Sequence, residues 1–166
     1  MVLGGLALMG GGVWYYLANR QTGPYLPVVG TRLPAFQLAD LNGRAVGYNS
    51  YAGKPLIINF WATWCPPCRD EMPMLVDYYN KNQANGVVIL SINAGETAVD
   101  AANFVNAYQM KFPVLLDADS KYFDSLLLDS LPTTILVGPD GVVRALHIGY
   151  MSPEVFQNNI LAKIGR

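Results

Sequence analysis

The stretch "LIINFWATWCPPCRDEMP" (Leu56–Pro73) runs from a mostly apolar hexapeptide through two cysteines into a charged segment. Leu56–Trp61 is continuous rather than alternating, the pattern of a central strand covered on both faces. Past the cysteines, Met72, Leu75, Val76 and Tyr79 fall at i, i+3, i+4 and i+7, one apolar stripe of a helix. Cys65 and Cys68 therefore stand where a buried strand hands over to a helix N-terminus. A thiol at that place faces unpaired backbone N–H groups and the positive end of the helix dipole, and both favour thiolate. Thiolate is the species that attacks a disulfide, and a second cysteine one turn on can resolve the mixed disulfide.

Two blander readings compete with a redox couple. A zinc site needs about four ligands. The chain offers two cysteines and one histidine, His147, far away in sequence. A purely structural disulfide across a four-residue ring would constrain the unfolded chain little. A C-x-x-C beside a βαβ pattern is the sequence signature of thiol redox chemistry.

The flanking sequence supplies that pattern. Phe36 and Leu38 alternate into Asn42-Gly43, a favoured hairpin turn. Asn85-Gly86 leads into "VVILSIN" (Val87–Asn93), a second buried strand. Ala101, Phe104, Val105 and Tyr108 repeat the helical stripe, "FPVLLD" (Phe112–Asp117) is a short extended segment, and Tyr122, Phe123, Leu126 and Leu127 suggest a short helix. "TTILV" (Thr133–Val137), Gly138-Pro139-Asp140-Gly141 and "VVRALHI" (Val142–Ile148) form a hairpin. Ser152 caps a last helix that Pro153 opens and Phe156, Ile160, Leu161 and Ile164 line. This order predicts an α/β domain, a central mixed sheet flanked by helices, with an N-terminal β-hairpin. The domain is expected over residues 35–166, behind a Pro- and Gly-rich linker at 19–34.

Hydrophobic residues make up 52% of the chain and charged residues 14%, which excludes a disordered protein. With a net charge of −1 and no basic run, nucleic acid is not an expected partner. "MVLGGLALMGGGVWYYLA" (Met1–Ala18) carries no charged side chain. As a helix it would span roughly 27 Å, close to a hydrocarbon core of about 30 Å, with Trp14, Tyr15 and Tyr16 at headgroup level. A single transmembrane helix over residues 1–18 is expected; a signal peptide, cleaved or retained, and a buried helix are the alternatives. No basic residue precedes the run and no small-x-small site follows it, which weighs against a cleaved signal.

Phe60-Trp61-Ala62-x-Trp64-Cys65-x-Pro67-Cys68 resembles the active-site motif of the thioredoxin superfamily. Leu131-Pro132-Thr133 resembles its cis-proline loop, and Pro73 falls where that family kinks its helix. More narrowly, "GTRLPAFQLADLNGRAVGYNSYAGKPLIINFWATWCPPCRDEMP" and "SLPTTILVGPDGVV" look like the membrane-anchored ResA/TlpA/CcmG branch, most nearly its ResA type. The resemblance covers roughly Val28 to Ile164. It implies a thioredoxin-like fold without a cofactor and a thiol–disulfide reductase held in the cell membrane with its domain on the extracytoplasmic side. The implied partners are a disulfide-containing protein such as apocytochrome c, at its haem-attachment cysteines, and a membrane electron donor of the CcdA/DsbD kind.

Thioredoxin carries a buried acid where this chain has Asn59, so a proton acceptor for Cys68 must come from elsewhere. Glu71, three residues beyond Cys68 and on the same helix face, matches the glutamate of ResA-like proteins and is the candidate base. The catalytic set is then Cys65, Cys68 and Glu71. Trp64, Pro66, Pro67, Leu131, Pro132 and Thr133 are expected to contact the substrate, Pro132 holding the Leu131 backbone open for β-type pairing. Pro66 and Pro67 remove two N–H donors that could serve the Cys65 thiolate. Arg69 reads as an exposed helix residue and His147 as structural. A peroxiredoxin-like peroxidase would need a threonine three residues before its cysteine, and Thr63 is two before Cys65 and five before Cys68. A copper-binding assembly factor of the TlpA/Sco kind is a further alternative; Sco-type proteins use CxxxC with a downstream histidine.

Overall fold

Leu56–Trp61 forms one of the central strands of a seven-stranded mixed sheet. The computed structural model describes residues 24–165. In chain order the strands are β1 (Gln37–Asp40), β2 (Ala45–Gly47), β3 (Leu56–Trp61), β4 (Val88–Ala94), β5 (Val114–Asp117), β6 (Thr133–Val137) and β7 (Val143–Ile148). The helices are α1 (Pro66–Asn82), α2 (Ala98–Ala107), α3 (Lys121–Ser125) and α4 (Pro153–Asn159). The sheet order is β2-β1-β5-β4-β3-β6-β7. β3, β4 and β5 are parallel, whereas both outer pairs join antiparallel. The entry hairpin turns at Gly43, whose φ of 76° suits glycine.

Side chains alternate across the buried strands, so each strand feeds two cores. Ile57 and Trp61 of β3 and Ile89 of β4 pack with Met72 and Leu75 of α1, Ala101 and Phe104 of α2, and Phe156 of α4. Leu56, Ile58 and Phe60, with Leu90 and Ile92, pack instead with Phe36, Tyr122, Phe123 and Leu126 on the other side. Phe60 meets Phe123 at a ring separation of 5.5 Å, and Trp61 meets Phe104 at 4.5 Å. The predicted helix–sheet–helix layering is the observed one.

Two boundaries differ from expectation. The described part of the expected linker is pinned to the domain: Gly30 N–H donates to Val143 C=O, Val143 N–H to Thr31 C=O, and Leu33 is buried. Arg32 forms a bridge with Val142, so this segment covers one end of the β7 edge. At the other terminus the α-helix stops at Asn159 and a 3₁₀ turn, Leu161–Lys163, carries the chain on, although Leu161 and Ile164 still pack on the core. Ser152 does cap α4, its hydroxyl accepting from Val155 N–H at 3.2 Å. Among the described residues no helix is long and apolar enough to cross a membrane. The expected span at 1–18 lies outside them.

Candidate active site

β3 ends at Trp61, and the next four residues turn the chain into α1. Cys65 N–H closes this turn on Ala62 C=O at 3.3 Å. Cys65 and Cys68 form a disulfide with an S–S distance of 2.06 Å. Both are buried, whereas Trp64 beside them is 65% exposed. Pro66 and Pro67 are the first two helical residues, which proline favours because its missing N–H would be unpaired there anyway. The first amide the helix presents to the sulfur is therefore that of Cys68, which donates to Cys65 Sγ at 3.3 Å.

Cys68, Glu71, Met72 and Leu75 make the buried face of α1. Glu71 is 1% exposed. Asn59 Nδ2 donates to its Oε1 at 2.7 Å, and Met151 N–H donates to its Oε2 at 3.2 Å. Burial pushes its pKa up to about 7, while the bonds from Asn59 and Met151 pull the other way. Glu71 follows Cys68 by one turn on the same buried face of α1, and its raised pKa is the property a general base or acid for that cysteine would need. Asn59, noted in the sequence only for not being an acid, is thus the residue that holds Glu71. It also donates to Thr134 Oγ1 at 3.0 Å.

The Leu131–Pro132 peptide is cis. Pro132 and Thr133 are buried, and Thr133 Oγ1 donates to Ser130 C=O at 2.6 Å. The Pro132 carbonyl accepts from Gly149 N–H at 2.8 Å, and Leu131 packs half-buried against the same apolar cluster that contains both cysteines. Of the expected substrate contacts, Trp64, Pro66, Pro67 and Leu131 present surface, whereas Pro132 and Thr133 do not. Arg69 is exposed as expected, and its Nε donates to Thr63 C=O at 2.6 Å. His147 pairs in the sheet with Thr134, and its Nε2 lies 3.1 Å from Tyr150 C=O.

Residues 29–146 match the AhpC/TSA family. The chain belongs to that family. This AhpC/TSA protein is 36% identical over 129 residues to the thiol-disulfide oxidoreductase ResA of Bacillus subtilis, covering 78% of this chain and 72% of that one. The ResA of Geobacillus thermodenitrificans is 34% identical over 143 residues, 86% of this chain and 82% of the relative. Among solved structures, a Chlorobium tepidum chain assigned as the thiol:disulfide interchange protein DsbE superposes with a TM-score of 0.76 at 27% identity. That match covers 83% of this chain and 99% of the other. With its C-x-x-C pair, the AhpC/TSA protein is a thiol–disulfide oxidoreductase of the ResA and DsbE type.

Sequence reading missed three contributors: Met151, whose backbone N–H reaches Glu71, and the pair Asn93 and Glu96 at the end of β4. A usable signal existed for Asn93. Like Asn59, it is a polar residue inside an otherwise apolar strand.

Proposed function

We propose that this oxidoreductase works as a reductant of protein disulfides on the extracytoplasmic side of a membrane, held there by residues 1–18. Cys65 thiolate attacks one sulfur of a partner's disulfide, the S–S bond breaks, and one partner thiolate leaves. Glu71 carboxylate accepts the Cys68 proton. Cys68 thiolate then attacks Cys65 Sγ, forms the intramolecular disulfide and releases the second partner thiolate, so two electrons pass to the partner. A membrane dithiol donor of the CcdA/DsbD kind returns the pair to its reduced form. The haem-attachment cysteines of an apocytochrome c are the proposed substrate. Trp64 and Leu131 supply an apolar contact for its extended chain, and the Leu131 backbone, unpaired among the described residues, supplies β-type hydrogen bonds.

The observation that carries the direction of electron flow is that, among the described residues, one amide, that of Cys68, donates to Cys65 Sγ. Pro66 and Pro67 withhold two N–H groups, so the thiolate is less stabilised than at a fully furnished helix N-terminus. A less stabilised dithiol is a stronger reductant. The test is the reduction potential of the Cys65–Cys68 couple, equilibrated against defined thiol–disulfide buffers with free thiols trapped by a mass tag. A value near about −270 mV or lower is expected; a value near about −120 mV would make the protein an oxidant.

A further inference from the structure

We propose that Glu96 is a positioning residue for the attacking cysteine, clamping the turn that carries Trp64 and Cys65. The inference rests on Cys65 being the attacking thiol. Glu96 lies in the loop that follows β4. Its Oε2 accepts from Thr63 N–H at 2.7 Å and from Asn93 Nδ2 at 2.6 Å, and its Oε1 accepts from Thr63 Oγ1 at 2.5 Å. Asn93 is fully buried in β4 and pairs in register with Trp61 of β3. The carboxylate therefore has a rigid anchor on one side and the turn on the other.

Thr63 is gripped from both ends of its backbone. Glu96 holds the N–H, and Arg69, one turn into α1, holds the C=O. Two charged groups of opposite sign thus fix a single residue, each through a charge-assisted bond stronger than a neutral one. The turn needs such a clamp. It must leave Trp64 standing in solvent while Cys65 stays buried, and the two prolines that follow offer no backbone N–H to help hold it. The clamp also ties together the carboxyl ends of β3 and β4, the crest of the sheet where α/β proteins place their sites.

Geometry rather than charge makes the distinction testable. In Glu96→Gln the side-chain oxygen can accept from Thr63 N–H and Asn93, while the new amide donates to the Thr63 hydroxyl, which is able to accept. Glu96→Ala loses all three bonds. The measurement is the second-order rate at which the pre-reduced full chain reduces oxidised glutathione, followed as a function of pH. Glu96→Ala should lose roughly tenfold in rate and shift the midpoint of the pH profile, since a misplaced nucleophile is costly. Glu96→Gln should recover most of both. Thr63→Val, which keeps the N–H bond and removes only the hydroxyl, should lose about threefold, and adding it to Glu96→Ala should cost nothing further. The proposal fails if Glu96→Ala stays within about twofold of the parent with an unmoved profile. It also fails if Glu96→Gln is as slow as Glu96→Ala, or if the Thr63 and Glu96 effects simply add. A Cys65→Ser chain that still reduces glutathione disulfide would remove the underlying reading instead, a separate outcome in the same assay.

Discussion

The two faces of the sheet are built from the same strands and are chemically unlike. Towards Phe36, Tyr122 and Phe123, the strands β3, β4 and β6 present Leu56, Ile58, Phe60, Leu90, Ile92, Ile135 and Val137, all apolar and all buried. Towards α1, the intervening positions include Asn59, Ser91, Asn93 and Thr134, equally buried but polar. The first face mainly excludes water; its buried Asp117, at the end of β5, accepts from the Tyr122 and Phe123 N–H groups and so holds the start of α3. The second has to hold a carboxyl group and a pair of sulfur atoms in place, and polar residues inside a strand are the means. Both faces carry an apolar core, but the pair of sulfurs and the buried carboxyl beside them sit on one of them alone.

Phe60→Ala probes the apolar face and should give the largest loss of stability, about 3–5 kcal/mol by the usual cost of emptying an aromatic site. Chemical denaturation measures it. Molecules that remain folded should retain their rate of disulfide reduction, and a matching loss of activity would break the division between faces.

Glu71→Gln probes the polar face. Resolution of the mixed disulfide should slow by roughly a hundredfold, the scale of a positioned general base, in single-turnover kinetics. The pH dependence of stability sharpens the point. Between about pH 4.5 and pH 7 the folded protein holds a proton on Glu71 that the unfolded chain has released. Unfolding then loses protons, so stability falls as pH rises through that window, by about 3 kcal/mol for a shift of this size. In Glu71→Gln this slope should be absent.

Asn59→Ala should act through Glu71. Loss of a donor to the ionised carboxylate moves its titration to higher pH, readable by carboxyl NMR, and costs roughly 1–3 kcal/mol through the groups left unpaired. Ser152→Ala is expected to matter least, about 1 kcal/mol for a lost helix cap, with no effect on the pH profile.

Much of this was legible in the residues. The strands β3 and β4 announce themselves as apolar runs, and the stripe at Met72, Leu75 and Tyr79 fixes α1, because periodicity follows directly from backbone geometry. The cysteine pair and Glu71 were found by spacing along one helix. What escaped were contacts made across long stretches of chain. Nothing local in Gly30–Leu33 says that its backbone pairs with β7, and a Pro- and Gly-rich segment reads as linker for that reason. Thr63 and Glu96 are 33 residues apart and meet only because β3 and β4 are neighbours in the sheet. Asn59 was visible, but its partner was not, since a hydrogen bond from a strand to a helix leaves no period.

The double proline has a consequence for spectroscopy. Pro66 and Pro67 carry no amide proton, so the amide signal of Cys68 is the first that α1 contributes, and this proton points at Cys65 Sγ. In the reduced protein the same proton is expected to sense the charge on Cys65 Sγ, and Glu71→Gln separates that response from the titration of the carboxyl one turn on. Followed in the reduced, nitrogen-labelled protein, one amide peak is then expected to report the titration of the attacking thiol without a substrate.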